Sequence, residues 1–162
     1  MTVRLSFEVS TAGQMRELGA RLGAACAGGD VIILTGDLGA GKTTITQGIG
    51  RGLGIAEPVT SPTFVIARVH ANPGDRPDLV HVDAYRLGSL AEVEDLDLEA
   101  DLDTSVVVVE WGDGLVDHLS ESRVLVRIAR KDDDADETRT VDVECDGDRW
   151  TSVLDIRVGG PL

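Results

Sequence analysis

The stretch Gly36-Asp37-Leu38-Gly39-Ala40-Gly41-Lys42-Thr43-Thr44 fits the pattern G-x-x-x-x-G-K-[ST] and constrains everything around it. Ahead of it, Val31-Ile32-Ile33-Leu34 is a short apolar, β-branched run that predicts a buried strand. Behind it, Ile45, Ile49 and Leu53 recur every four residues, the spacing of one helix face. Strand, glycine loop and helix are the context in which such a loop holds phosphate. The glycines let successive N–H groups point into one concavity at a helix N-terminus. Lys42 supplies a positive charge for the β- and γ-phosphates, and the Thr43 hydroxyl suits Mg²⁺. Asp37, Leu38, Gly39, Ala40, Gly41, Lys42, Thr43 and Thr44 are therefore the expected nucleotide-binding residues. Lys42 is expected to be exposed, with no part in the core.

Leu5, Phe7 and Val9 alternate with polar neighbours and predict an opening strand. Thr11 to Gln14 has capping-box spacing ahead of a helix whose apolar face is Met15, Leu18, Leu22 and Cys26, ending at Gly28-Gly29. Further strands are expected over Phe64 to His70 and Leu79 to Tyr85, with a turn at Asn72-Pro73-Gly74-Asp75 between them. In the second, His81, Asp83 and Tyr85 share one face, which is either a solvated sheet edge or part of a site. Val106 to Val109 is a second fully apolar run, and it ends in Glu110-Trp111. Two such runs predict a parallel sheet covered on both sides. Ligands of such sheets sit at the carboxyl ends of the strands, which puts Glu110 beside the loop as a carboxylate for the metal side. Alternation at Val124, Val126 and Ile128, and again at Val141, Val143 and Cys145, predicts a C-terminal hairpin. The expected fold is a single α/β domain over residues 1–162, a three-layer arrangement of P-loop NTPase type with parallel central strands and antiparallel margins.

A formal charge of −14 argues against direct binding of nucleic acid, whose phosphates would be repelled. Aromatic residues are only 3% of the chain, so Val, Ile, Leu and Ala must fill its core. No apolar run approaches membrane-spanning length and no leader is evident, so the expected location is the cytoplasm. Cys26 and Cys145 lack metal-site spacing and are expected to be buried thiols. Seven acids crowd Ala91 to Asp103, consistent with one or two short helices whose acidic face is either merely solvated or a dock for a basic partner.

Taken in order, Gly36 to Thr44, Ser61-Pro62-Thr63-Phe64, His81-Val82-Asp83-Ala84-Tyr85-Arg86 and Glu110-Trp111 resemble the motif series of the bacterial TsaE (YjeE) family. Members are small P-loop ATPases of tRNA threonylcarbamoyladenosine (t6A) biosynthesis. The likeness covers roughly Phe7 to Val143. It implies ATP and Mg²⁺ as ligands, with Lys42 on phosphate and Thr43 and Glu110 on the metal. It further implies Thr63 in a switch-like segment facing the γ-phosphate, Asp83 as an acid needed for hydrolysis, and Trp111 close to the nucleotide. The implied catalytic set is Lys42, Thr63, Asp83 and Glu110. Implied partners are TsaB and TsaD homologues, with tRNA reached only through them and no membrane. The adenine contact stays open among Arg130, Lys131 and Arg139, and no Asn-Lys-x-Asp run of the kind that reads guanine occurs. Two other readings of the same loop are a nucleotide-sensing binding module with negligible turnover and a small-molecule kinase.

Overall fold

The computed structural model describes residues 2–37, 39–60, 67–83, 103–110, 122–130, 137–153 and 158–162. Alternation at the start of the chain gives strand β1 (Val3–Val9), whose Val3, Leu5 and Phe7 are half-buried and whose Val9 is buried. Helix α1 (Ala12–Ala25) follows, capped by Thr11, whose Oγ1 accepts from the Gln14 N–H at 3.1 Å. In return the Ser10 N–H, one residue before the cap, donates to Gln14 Oε1 at 2.7 Å. The helix stops at Ala25, before the glycines expected to end it, and Cys26 is its extended C-cap. Carbonyls at a helix end lack intrahelical partners. Here two arginines satisfy them: Arg76 donates to Gly23 O and Cys26 O at 3.1 and 2.9 Å, and Arg149 to Ala25 O at 2.9 Å.

Strand β2 (Val31–Gly36) is buried along Val31 to Leu34 and leads through the glycine loop into helix α2 (Lys42–Leu53). Ile45, Ile49 and Leu53 are all buried, as their spacing predicts. Burying each such side chain stabilises the fold by about 1.5–3 kcal/mol. The two helices meet backbone to backbone. A Cβ on Gly19 or Gly23 would lie 2.2 Å from the carbonyl oxygens of Ile45 or Ile49, and one on Gly48 or Gly52 would lie 2.2 Å from those of Arg16 or Ala20. Four glycines, spaced i and i+4 on each helix, thus hold α2 firmly against α1.

The remaining strands are β3 (Ala67–His70), β4 (Asp78–Asp83), β5 (Ser105–Glu110), β6 (Arg123–Arg130) and β7 (Arg139–Asp146), followed by a short helix α3 (Asp148–Val153). They form one seven-stranded sheet in the order β1-β7-β6-β2-β5-β4-β3. The β6-β2-β5-β4 centre is parallel, while β3, β7 and β1 run antiparallel to their neighbours. This is the expected parallel centre with antiparallel margins. Ile32, Leu34, Val106, Val108, Val124 and Val126 belong to the core shared with α1 and α2, and the alternate residues Val31, Ile33, Val107 and Val109 are buried too. Both cysteines are free and buried, and burial pushes the Cys26 thiol up to about 12. Among the described residues no helix is long and apolar enough to cross a membrane. The acidic stretch read over Ala91 to Asp103 lies outside the described residues apart from its last position.

Candidate phosphate-binding site

The carboxyl end of β2 delivers the chain into the loop. Gly36 sits against β6, where a Cβ would come within 2.7 Å of the Ile128 carbonyl oxygen. The Ala40 N–H donates to Asp37 O at 3.0 Å, and the Ile45 N–H closes the first helical turn on Gly41 O at 2.9 Å. Gly39 and Gly41 have φ of 78° and 121°, backbone that side-chain-bearing residues rarely adopt. Gly41 is the N-cap of α2 and brings no side chain to it. The first amides of a helix have no carbonyl a turn earlier to bond, which suits this end to an anion.

Lys42 departs from expectation. It is buried rather than exposed, and its Nζ donates to Gly36 O at 2.7 Å and Asp37 O at 3.0 Å. The side chain folds back over the strand end because those two carbonyls lie within its reach. Burial pushes the ammonium below the usual lysine range, while Glu110, then Asp37 and Asp83, pull it back.

The carboxylates arrive from neighbouring strands. Asp83 and Glu110 are register partners at the ends of β4 and β5, and Glu110 is in turn level with Leu34 on β2. They share the sheet face on which α2 packs, so Lys42 meets both fields. His81 lies one step deeper on the same face, level with Val108, and is fully buried. A solvated edge is thereby excluded for His81, which is paired on both sides, with Arg68 on β3 and Val108 on β5. The His81 Nε2 is 3.5 Å from Glu110 Oε1. Among the described residues no three His, Cys, Asp or Glu side chains converge as a metal cage. Asp83 and Glu110 offer hard carboxylate oxygens at the strand ends, the donor type that Mg²⁺ takes in small number beside phosphate oxygens.

Beside the loop lies a cavity of about 240 Å³, walled by Val9 and Met15 and rimmed by Thr11, Thr44, Glu137 and Arg139. Of the three residues left open for the base, Arg139 lines this cavity; Arg130 is its cross-strand partner and is not in the wall, and Lys131 lies outside the described residues. The β1–α1 junction had no part in the expected site. Its signal was indirect: Thr11 is legible as a cap, but that the cap faces the loop is set by the α1–α2 packing. Leu38, Thr63 and Trp111 lie outside the described residues, as does Tyr85.

A strand-loop-helix at the carboxyl end of a parallel sheet, with two carboxylates on the adjoining strands, defines an α/β protein of P-loop architecture. The description "Threonylcarbamoyl adenosine biosynthesis protein TsaE" matches residues 9–141, and the chain belongs to this TsaE family. A Streptomyces coelicolor protein named tRNA threonylcarbamoyladenosine biosynthesis protein TsaE is 59% identical over 140 residues, 85% of this chain and 95% of that one. A Mycobacterium tuberculosis protein of the same name is 49% identical, covering 70% of this chain and 71% of its own length. The crystal structure of YdiB from Bacillus subtilis superposes with a TM-score of 0.75 at 29% identity, over 96% of this chain and 94% of that one.

Proposed function

We propose that this protein is a cytoplasmic P-loop ATPase that works with TsaB and TsaD homologues in threonylcarbamoylation of adenosine 37 in tRNAs reading codons that begin with A. The observation that carries the reading is that Asp83 and Glu110 stand level at the ends of β4 and β5, with Glu110 opposite Leu34 just ahead of the glycine loop that Lys42 follows. In this reading Lys42 leaves the carbonyls of Gly36 and Asp37 for the phosphates, and the loop amides and α2 N-terminus receive the remaining oxygens. The nucleoside takes the cavity rimmed by Thr11 and Arg139. Thr43 and Glu110 would hold Mg²⁺ arriving with the nucleotide, and its charge would offset that of the phosphates. Asp83 orients the attacking water, and Thr63 and Trp111 carry the roles that the family resemblance implies. The net charge of −14 leaves tRNA to the partners.

The test is a tRNA modification assay with TsaB, TsaD and ATP, with and without this protein. Modification that depends on it, accompanied by ATP turnover that rises when the partners are added, is the expected outcome. Unchanged modification in its absence would overturn the reading, and binding without turnover would favour the nucleotide-sensing module.

Asp83→Ala separates catalysis from binding. A carboxylate facing phosphate does not help the ground state, because like charges repel. Turnover is expected to fall about 10²-fold or more, the usual worth of a positioned acid or base. ATP affinity should hold or improve. A variant that loses affinity yet keeps its saturated rate would remove Asp83 from this role.

A further inference from the structure

Buried polar atoms are nearly always paired, and the described residues contain a pair of exceptions that face each other. Glu110 Oε1 and both ring nitrogens of His81 are buried without a hydrogen-bond partner. His81 is 0% exposed and the Glu110 side chain 6%, and Nε2 and Oε1 stand 3.5 Å apart. A bridging water would need roughly 5 Å between them, so none fits in this gap. Closing the gap by about 0.6 Å brings it to hydrogen-bond distance. With β4 and β5 held in register, a small turn of the imidazole or the carboxylate would close the gap.

We propose that His81 is the positioning residue of Glu110: its Nε2–H holds Oε1, fixing the carboxylate so that its other oxygen faces the nucleotide side. The proposal rests on the nucleotide reading above and deepens it. A carboxylate serving a metal through one oxygen gains precision when the other is held by a donor behind it, and loss of such a partner commonly lowers metal affinity or activity 10–100-fold. The strand pattern supplies the arrangement. His81 and Asp83 are two residues apart on β4, so both face Glu110's side of the sheet. His81 sits on the core side of Glu110, while Asp83 lies level with it at the strand end.

Two measurements decide it. Long-range ¹H–¹⁵N NMR of the ligand-free protein is expected to show a proton on His81 Nε2, with a resonance that shifts in Glu110→Leu. A bare Nε2, or a resonance indifferent to Glu110→Leu, would overturn the proposal without any nucleotide being present. Calorimetric binding of ADP at stepped Mg²⁺ concentrations is the second. His81→Leu should raise the Mg²⁺ needed for half-saturation about tenfold or more, leaving ADP binding in EDTA unchanged. His81→Gln, whose amide nitrogen sits near the place of Nε2, should restore most of the loss. Equal losses with and without Mg²⁺, or no rescue by Gln, would mean that His81 serves packing alone. Failure of the nucleotide reading looks different: the wild type would bind no ADP, with or without Mg²⁺.

Discussion

Lys42→Ala is expected to lower ATP turnover about 10²–10³-fold, the scale on which a preorganised charge stabilises a transition state. Affinity should fall about 10–100-fold, since a charged hydrogen bond is worth about 1.5–3 kcal/mol and each 1.4 kcal/mol is a factor of ten. The empty protein should nevertheless be as stable as the wild type or more so. Burial is the dominant influence on the ammonium and lowers its pKa below 10.5, against smaller opposing pulls from Glu110, Asp37 and Asp83. The folded protein therefore holds this proton less tightly than the unfolded chain does. That penalty is present in full below the folded pKa and fades as pH rises through it toward the unfolded value. Removing the group removes the penalty, and the carbonyls that lose their donor belong to half-buried Gly36 and exposed Asp37 rather than to the core. Thermal unfolding at neutral pH and again near the lysine range checks the sign. The wild type should gain on the variant as pH rises. Turnover at the wild-type rate, or a variant markedly less stable at neutral pH, would refute the account.

The parts of the fold governed by local pattern are legible in the chain. The loop and its flanking runs place β2 and α2, alternation places β1, β6 and β7, and the apolar run ending at Glu110 places β5 beside the loop. Contacts between distant segments are not legible in the same way. Gly19, Gly23, Gly48 and Gly52 look like weaknesses in two helices until the helices touch there. The pairing of β1 with β7 joins the two ends of the chain, and no local signal announces it. Parity correctly groups His81 with Asp83, but whether that face is wet or buried depends on which strands flank β4. Lys42 shows the same limit: motif spacing gives its expected role, whereas its burial follows from the side chain folding back onto the Gly36 and Asp37 carbonyls.

Asp30→Ala is expected to destabilise the protein by about 3–5 kcal/mol, the usual consequence of breaking a buried ion pair by removing one member. Asp30 is 1% exposed at the start of β2, the end of the strand away from the loop. Its Oδ1 accepts from Ser122 Oγ at 2.7 Å and from Arg149 Nε and Trp150 Nε1 at 3.3 Å. Oδ2 accepts from the Ala27 N–H at 2.7 Å and pairs with Arg149 Nη2. One carboxylate therefore ties together the α1–β2 turn, the start of β6 and helix α3, whose Trp150 is fully buried with the Arg149 guanidinium 4.7 Å from its ring centroid. Alanine would take the side-chain acceptor away from the indole N–H and the Ala27 N–H. The Arg149 side chain is 35% exposed, so water recovers part of that charge and the lower half of the range is expected. With about 2–4 °C per kcal/mol for a chain of this size, the melting temperature should drop by roughly 6–16 °C. Asp30→Asn, which keeps an acceptor oxygen but not the charge, should fall between. Because the candidate phosphate site lies at the opposite end of β2, the proposed stabilisation by ADP and Mg²⁺ should be the same in the folded variant as in the wild type. A loss under 1 kcal/mol in denaturant unfolding would show that the network adds little to the fold, and a lost ADP response would show that the two ends of β2 are coupled.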